Sequence, residues 1–481
     1  MRSRRDQVQA HLFVVRRLRT GMLRDDPEDP DPPVNRTTRG VVIGLVVAFL
    51  VALGVGVYGF IVPGGATGWR QPGTLVVVRG TGSRMLYLDG ELRPVLNQSS
   101  ARLLAGKELV VDVVDERSLE GVPRGAPIGV VGAPDALPAP STVDGAEWLV
   151  CGTVTTGPGG KAAARTSLGV AVGHRGRGLA EGEGAVVSAP DGSVSLLWHG
   201  QRLRLDTAHG AVSALGYDAV TPFPVSAAVL DALPAGPDLA PPPVPGAGRD
   251  GPVLAGRPTR VGQLFTGPGG EPYLLRADGL LALTELQRDL VRGDPRTQQA
   301  GYAGGPVVPG PVGPDDLAAH RAPAEASAAR DGLPTTAPRP VPIGSRQGVC
   351  AEVRPRGDSP VTAVTVVGDG EVRGAEPTAE PGVRPACVPV DEVVVRPGGG
   401  ALVRALPAAG GPGGTAFLVT DTGRKYPVPD DRSAAQLGYA LSSAVGLPAA
   451  LTAALPTGPA LDAALLAARG VVPPGPGGAC G

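Results

Sequence analysis

A run of 22 uncharged residues near the N-terminus sets the first structural requirement of this chain. It reads VVIGLVVAFLVALGVGVYGFIV and covers residues 41–62. As an α-helix it would span about 33 Å, which exceeds the roughly 30 Å hydrocarbon core of a bilayer. An all-apolar helix of this length is rare in a soluble domain, and the apolar region of a cleaved signal peptide is shorter and nearer the N-terminus. We therefore predict a single transmembrane helix, ended by the Pro63-Gly64-Gly65 sequence that follows it.

The arginines on the two sides of this segment predict its orientation. The first 40 residues carry nine Arg, whereas residues 63–78 carry only Arg70. Cytoplasmic flanks of membrane segments are enriched in Lys and Arg. We therefore predict a single-pass membrane protein whose N-terminus is cytoplasmic and whose residues 63–481 lie outside the cytoplasm.

The cytoplasmic part is predicted to form an amphipathic helix followed by a linker. Within residues 5–24, Val8, Leu12, Val15 and Met22 recur near helical spacing. Such a helix could lie along the inner leaflet or dock a cytoplasmic partner. The acidic, proline-rich sequence of residues 25–33 (DDPEDPDPP) is predicted to be a stiff linker.

The composition of the remainder favours short β-strands joined by tight turns. The chain holds 73 Gly and 53 Pro and is only 3% aromatic, yet aliphatic runs such as TLVVV at residues 74–78 recur throughout it. A disordered chain would lack these runs. The net charge of −1 offers no basic field for nucleic acid. We predict an α+β, mainly β protein with an elongated extracytoplasmic body.

Two phrases in the chain occur twice at one constant spacing. LGY occurs at residues 215–217 and 437–439, and ALPAGPDL at 232–239 corresponds to ALPTGPAL at 454–461. Both pairs are separated by 222 positions, so residue type and register are preserved together. This is typical of a duplicated structural unit.

Within each copy we predict one role for the tyrosine, one for the proline and one for the glycine. The tyrosine is buried over its repeat with its hydroxyl on a polar partner. The proline ends a short helix that covers the sheet, and the glycine supplies a φ value that other residues avoid. These residues are Tyr217, Pro234 and Gly236 in the first copy and Tyr439, Pro456 and Gly458 in the second.

Related strand–turn–strand patterns predict four repeats around a central β domain, to which residues 146–176 and 341–400 both contribute. Each repeat combines two or three strands around glycine turns with a short helix. The predicted boundaries are 1–40 for the cytoplasmic part, 41–62 for the membrane helix, 63–130 for repeat 1, 131–186 for the first part of the central domain, 187–250 for repeat 2, 251–305 for repeat 3, 306–400 for a loop and the second part of the central domain, 401–466 for repeat 4 and 467–481 for a C-terminal tail.

All four cysteines lie on the predicted outer side, where disulfides form. Their spacing is not that of a zinc site. Three pairings are possible. We favour Cys151–Cys350, which would connect the beginning of the middle region to its far end, with Cys387–Cys480 as the second pair unless Cys480 is free.

The sequence contains no recognisable catalytic or cofactor motif. Gly160-Lys161 is followed by Ala162, and Gly106-Lys107 by Glu108, so neither matches the phosphate-binding pattern GxxxxGK[ST]. The HExxH and GxSxG patterns are also absent. The five histidines (11, 174, 199, 209 and 320) are scattered, and we interpret His199 and His209 as surface residues rather than metal ligands. We accordingly predict no catalytic residue, no metal and no cofactor, and no meaningful ATP turnover.

Several phrases together resemble a known family. RDQVQAHLFVVRR at residues 5–17, the single span, DGELRPVLNQSSARLL at 89–104 and the two LPxGPxL phrases are similar to EccB, a core component of the actinobacterial type VII (ESX) secretion system. The family usually has an aromatic residue where this chain has His11-Leu12. The resemblance implies a disulfide that falls on Cys151 and Cys350. It also implies an oligomeric inner-membrane complex with EccC, EccD and EccE.

Two functional classes follow from these observations. The first is a structural subunit of the secretion complex, with a periplasmic body, homo-oligomer contacts and a cytoplasmic docking helix. The second is a cell-envelope enzyme or binder, such as the weak nucleotide hydrolase described for some family members or a peptidoglycan-binding protein. Scattered ionisable residues and only three Trp favour the first class.

Overall fold

The computed structural model describes residues 4–22, 34–61, 67–143, 147–156, 162–323, 332–407 and 414–475. They form two compact units. One comprises the chain as far as Trp69 together with residues 78–82 and 113–122. The other comprises residues 70–77, 83–112 and 123–481.

The first unit begins with two helices, α1 (Arg4–Gly21) and α2 (Val34–Ile61). Within α2, residues Thr37–Tyr58 are long and apolar enough to cross a membrane, and none of this stretch is buried against protein. The helix α2 begins at Val34, before the predicted start at Val41, so residues 34–40 belong to the same helix as the apolar segment. The predicted linker at residues 25–33 lies outside the described residues.

Four small sheets share one strand order, in which the first strand lies between the second and the fourth. Repeat 1 has the strands β1 (Leu75–Val78), β2 (Arg84–Leu88), β3 (Glu91–Pro94) and β4 (Val111–Val114). Repeat 2 has β9 (Glu183–Ser188), β10 (Val194–Trp198), β11 (Gln201–Arg204) and β12 (Phe223–Pro224). Repeat 3 has β13 (Leu264–Thr266), β14 (Pro272–Arg276), β15 (Gly279–Ala282) and β16 (Gly310–Pro311). Repeat 4 has β21 (Ala401–Leu406), β22 (Ala416–Val419), β23 (Lys425–Val428) and β24 (Val445–Pro448).

Short helices follow the strands of every repeat. They are α3 (Gln98–Ala105) in repeat 1, α4 (Ala211–Ala214) and α5 (Ala227–Asp231) in repeat 2, α6 (Glu285–Gly293), α7 (Pro295–Tyr302) and α8 (Pro314–Ala319) in repeat 3, and α9 (Asp431–Leu437), α10 (Ala449–Ala453) and α11 (Ala463–Arg469) in repeat 4. Side chains cap several of them. Asn97, Thr284 and Asp430 each accept a backbone N–H from the first turn of α3, α6 and α9. In repeats 2, 3 and 4 the fourth strand is parallel to the first, because one of these helices carries the chain back to the same end of the sheet.

A six-stranded central sheet joins two distant stretches of the chain. Its order is β20-β7-β6-β18-β19-β8. The strands are β6 (Trp148–Thr156), β7 (Ala162–Val170), β8 (Arg177–Gly178), β18 (Gln347–Arg354), β19 (Val361–Gly368) and β20 (Glu392–Val395). The antiparallel pairing of β6 with β18 brings residues 148–152 beside residues 349–353. The predicted fold class, a β-rich body that follows one membrane helix, is confirmed.

The structure departs from the predicted boundaries in three places. The loop expected at the beginning of residues 306–400 contains β16 and α8, because Pro314 at N1 and two acidic residues after it favour a helix start. The sheet of repeat 2 begins at Glu183, ahead of the predicted boundary at 187. In the predicted tail, β25 (Val471–Val472) pairs in parallel with β5 (Gly129–Val130).

Candidate functional site

Tyr217 and Tyr439 hold distant segments of the chain together. Tyr217 is 2% exposed, and its hydroxyl donates to the carbonyl of Pro338 over 2.7 Å. Tyr439 is 6% exposed, and its hydroxyl donates to the carbonyl of Pro138 over 2.6 Å. Burial raises the pKa of the Tyr217 hydroxyl to about 12, and burial raises that of Tyr439 further, so both keep the proton that they donate.

The two tyrosine hydrogen bonds join the two halves of the chain in opposite directions. Tyr217 belongs to repeat 2 and reaches the segment ahead of β18, whereas Tyr439 belongs to repeat 4 and reaches back to the segment ahead of β6. Each ring also lies in a core that includes a neighbouring repeat. Tyr217 shares its core with Leu290 of α6, and Tyr439 shares its core with Leu103 of α3.

The duplicated proline–glycine phrase adds an extra strand-like segment beside the third strand of its repeat. In repeat 2 the N–H of Arg202 donates to Pro234, and the N–H of Gly236 donates back to Arg202, over 3.0 and 2.9 Å. In repeat 4 Lys425 stands in the place of Arg202 and makes the same pair of bonds with Pro456 and Gly458, over 3.0 and 2.8 Å.

The predicted role of the glycines was wrong in its physical reason. Neither Gly236 nor Gly458 has the positive φ that favours glycine. They are needed because a Cβ atom would collide with a neighbour, the Leu203 side chain at Gly236 and the Tyr426 ring at Gly458. The requirement is close approach of two chain segments rather than conformational freedom.

The helices that precede the two phrases fill one shared core. Pro234 and Pro456 follow shortly after the ends of α5 and α10. Val229 of α5 and Leu451 of α10 pack in a single cluster with central-sheet residues that include Trp148, Val150, Val349 and Ala351. The phrase recurs because two equivalent helices cover one face of the central sheet.

The opposite face of the sheet carries the disulfide. Cys151 of β6 and Cys350 of β18 lie directly opposite each other and are bonded, 199 positions apart in sequence. Both are buried beside Leu149, Val367 and Val372. Cys387 is also disulfide-bonded, and Cys480, its predicted partner, lies outside the described residues.

A partly buried polar cluster lies on the same face and was missed by the sequence analysis. His174 Nε2 is 3.6 Å from Glu352 Oε2 and 3.9 Å from Glu147 Oε1. Arg354 Nε donates to Glu147 Oε1 over 2.9 Å, and Arg354 also forms an ion pair with Glu352. The available signal was a Glu inside the apolar strand QGVCAEVR, since a carboxylate on a buried strand requires a partner.

The donor set of this cluster matches a divalent metal only in part. Two Glu and one His have ligand atoms within 4.8 Å of one another. However, His174 Nδ1 accepts the backbone N–H of Gly176 over 3.0 Å, so the neutral ring must carry its proton on Nε2, the nitrogen that faces the carboxylates. A metal-bound His instead donates its second ring N–H to a neighbour. The hydrogen bond at His174 Nδ1 therefore differs from the usual arrangement of a metal-bound His.

The other histidines named in the sequence analysis occupy different positions. His199 is exposed beside Trp198, and His209 Nδ1 lies 2.5 Å from Asp206 Oδ2. Among the described residues, neither belongs to a group of His, Cys, Asp or Glu side chains close enough to hold a metal.

Apolar side chains of α1 are exposed along one helix. Val8, Leu12, Val15 and Leu18 are all between 45% and 61% exposed, and their spacing places them on one side of the helix. An exposed apolar stripe of this kind is typical of a surface that meets a membrane or another protein.

Comparison with known proteins identifies the family. The family model described as "Type VII secretion system ESX-1, transport TM domain B" matches residues 2–474. The chain is 28% identical to the ESX-3 secretion system ATPase EccB3 of Mycolicibacterium smegmatis, over 95% of this chain and 89% of that protein. It is also 28% identical to the ESX-2 secretion system ATPase EccB2 of Mycobacterium tuberculosis, over 98% and 96% of the two chains.

Solved structures of secretion complexes have the same fold. A chain of the EccB3 dimer from the ESX-3 core complex superposes with a TM-score of 0.63 at 26% identity, over 81% of this chain and 98% of that one. A chain of an intact ESX-5 inner membrane complex superposes with a TM-score of 0.63 at 24% identity, over 96% and 95%. The match to the family model over residues 2–474 establishes that the chain belongs to the EccB family of type VII secretion systems.

Proposed function

We propose that this protein is a structural subunit of an inner-membrane type VII secretion complex. The observation that carries the proposal is the family match over residues 2–474, which includes the membrane helix and all four repeats. In this role α2 anchors the chain, and the repeats and central sheet supply the surfaces on which neighbouring subunits pack.

The orientation of the body is part of the proposal. Nine Arg precede residue 41, and one follows among residues 63–78, which favours a cytoplasmic N-terminus. The disulfide between Cys151 and Cys350 supports an oxidising location for the central sheet. We therefore assign the repeats to the periplasmic side.

The proposed partners are EccC, EccD and EccE, with further copies of this chain. A relative from the ESX-3 system forms a dimer, and another relative is part of an intact ESX-5 inner membrane complex. Contacts between copies are assigned to the periplasmic body.

The exposed stripe on α1 is proposed as the cytoplasmic docking surface. Leu12 is 56% exposed, and Gln9 lies on another side of the same helix. Leu12→Glu should reduce recovery of the other subunits with the tagged protein, because it places a charge in an apolar contact. Gln9→Glu adds the same charge away from the stripe and should leave recovery unchanged. Equal recovery in both variants would reject the docking role of α1.

Nucleotide hydrolysis is the alternative activity, because the relatives named above are called ATPases. In this chain no sequence matches GxxxxGK[ST]. We propose that the role of the subunit does not depend on ATP turnover. Purified protein should lack turnover that co-elutes with the chain. Turnover that stays with the pure chain through gel filtration and disappears in a point variant of it would favour the ATPase alternative.

A further inference from the structure

A cleft of about 690 Å³ lies between repeat 1 and repeat 4. Residues 105–108, at the end of α3, line one side of it, and residues of α9 and the segment after it line the other. Several lining side chains are small and apolar, among them Ala105, Pro140, Val143, Ala435 and Ala440. The volume lies within the range of about 300–1,000 Å³ that is usual for binding pockets.

The arrangement of helices around this cleft occurs twice in the chain. In repeat 1, Asn97 caps α3 and Gly106 follows the helix. In repeat 3, Thr284 caps α6 and Gly293 ends it, at the same spacing from the cap. The helix α3 contacts α9 of repeat 4, and α6 contacts α4 of repeat 2. Because repeats 2 and 4 correspond at a spacing of 222 positions, the residues at the two helix contacts can be compared one by one.

In the pair formed by repeats 2 and 3, the chain itself closes the equivalent place. A Cβ atom on Gly210 would lie 2.8 Å from the carbonyl oxygen of Gly293, and a Cβ atom on Gly293 would collide with Ala214. The backbone of α4 therefore approaches the end of α6 closely. The chain then continues into α7, whose first residue, Pro295, lies beside Gly210.

In the pair formed by repeats 1 and 4, longer side chains replace this close contact. Arg432 and Gln436 stand 222 positions after Gly210 and Ala214. The side-chain oxygen of Gln436 lies 2.9 Å from the position of a Cβ atom on Gly106, so a side chain rather than backbone meets the end of α3. Arg432 lines the cleft. The cleft is therefore a specific difference between the two halves of the chain.

The connection in repeat 1 also lacks the additional helix of repeat 3. Residues 107–110 lead directly from Gly106 to β4, whereas residues 294–309 lead from Gly293 to β16 and include α7. One pair of repeats thus leaves open the place at which the other pair begins a further helix. A helix supplied by another protein is the occupant that this comparison indicates, since grooves with apolar walls commonly bind amphipathic helices.

The charge around the cleft favours an acidic occupant. Arg432 lies on the α9 side and has no ion pair within the part of the chain that the structure describes. On the α3 side, Lys107 lies 3.9 Å from Glu108. Arg102 of α3 donates to the carbonyl of Leu437 at the end of α9, over 3.3 Å. Three cations therefore accompany one carboxylate, and a symmetric contact between two copies would bring two surfaces of like charge together.

We propose that this cleft binds an amphipathic helix of a different protein in the secretion complex. The helix places apolar side chains, one helical turn apart, between α3 and α9, and acidic residues of its first turn face Arg432. The inference rests on the proposed subunit role, because it assigns the helix to another protein of the same complex.

Site-specific photo-crosslinking in cells tests the occupant with the full-length chain. A benzophenone amino acid at Ala435, which is exposed and lines the cleft, should cross-link to a different protein. Mass spectrometry should place the cross-link in a segment with helical spacing of apolar residues and acidic residues at its start. Ser213 is the matched control, because it occupies the equivalent exposed position of α4, where the chain closes the contact itself. The same amino acid at Ser213 should not give this product.

Substitutions in the cleft provide the second readout. Arg432→Glu should lower the yield of the Ala435 cross-link about tenfold, which corresponds to about 1.4 kcal/mol, whereas Arg432→Lys should retain it. Ala440→Trp fills the cleft and should lower the yield by at least as much. Ala318→Trp adds the same side chain at an exposed position of α8 and should leave the yield unchanged.

Three results would overturn the proposal. They are the absence of an intermolecular cross-link at Ala435, a cross-link only to lipid or to a second copy of this chain, and equal yields in Arg432→Glu and Arg432→Lys. Each of them leaves the subunit role intact if the complex is still recovered on a native gel. Failure to recover the complex would instead count against the subunit role, and the cross-link, formed in cells before solubilisation, is read independently of that recovery.

Discussion

Tyr439 donates its hydroxyl proton to the carbonyl of Pro138 over 2.6 Å, across 301 positions of sequence. The equivalent bond from Tyr217 reaches forward by 121 positions to Pro338. Repeat 4 is thereby tied to the segment ahead of β6, and repeat 2 to the segment ahead of β18. Because each tyrosine is hydrogen-bonded to a segment from the other half of the chain, we infer that neither half of the central region packs fully without the other.

Removal of a single hydroxyl at these contacts should be measurable. Tyr439→Phe and Tyr217→Phe each leave a buried carbonyl unsatisfied, which costs about 1–3 kcal/mol. The corresponding alanine variants also lose the ring and should cost about 3–5 kcal/mol. Chemical denaturation measures both effects. Tyr273→Phe is the control, because its hydroxyl makes no hydrogen bond within the part of the chain that the structure describes.

The Phe and Ala variants of Tyr217 and Tyr439 together distinguish a role in stability from a role in contacts with other subunits. If all four variants unfold like the parent while secretion fails, the tyrosines and the duplicated phrases form a contact surface, and the anchoring role described above is wrong.

Gly458→Ala tests the requirement for close approach in repeat 4. The added methyl group meets the Tyr426 ring, and overpacking of this kind costs about 1–3 kcal/mol. Gly182→Ala is the control, since no atom lies within 4 Å of the Cβ position there and the backbone does not have positive φ. Thermal unfolding should show a lower midpoint for Gly458→Ala only. Equal midpoints would mean that the ring moves aside without cost.

Removal of the central disulfide should destabilise the body strongly. The bond closes a loop of 199 positions, and the chain-entropy model gives about 5 kcal/mol for a loop of this length. The double variant Cys151→Ala/Cys350→Ala removes the bond without leaving a free thiol at either position. Its denaturation curve should shift accordingly. Peptide mapping without reduction provides the direct check, and a free Cys151 thiol in correctly localised protein would contradict the pairing.

Cysteine accessibility tests the proposed orientation. A cysteine introduced at Asp238 should react with a membrane-impermeant reagent in intact cells, because repeat 2 is assigned to the periplasmic side. A cysteine at Ser3 should react only after lysis. Labelling in the opposite order would reverse the topology and leave the fold unaffected.

Local features were predictable from the sequence, whereas most long-range partners were not. The Cys151–Cys350 pair, which the family resemblance implied, is an exception. The membrane helix follows from composition alone, since 22 uncharged residues have few other stable environments. The duplicated phrase pointed to a helix that ends at Pro234 and Pro456. The hydrogen bonds that join the phrase to β11 and to β23 were not predictable, because these strands are separate from the phrase in sequence and a proline–glycine phrase gives no strand signal.

The polar cluster illustrates the same limit. His174 appeared isolated because the nearest histidine in sequence is His199, and the carboxylates that surround it come from residues 147 and 352. The pairing of β6 with β18 brings the two carboxylates together, and the segment after β7 places His174 beside them. Likewise, nothing in the local sequence indicates Pro138 as the acceptor for Tyr439.

Affinity purification from detergent-solubilised membranes, through a tag on this chain, tests the central claim most directly. The account predicts recovery of one large complex on a native gel, in which EccC, EccD and EccE accompany this subunit in fixed ratios through a second purification step. Recovery of this chain alone, while those three proteins migrate together in a complex without it, would contradict its role as a structural subunit.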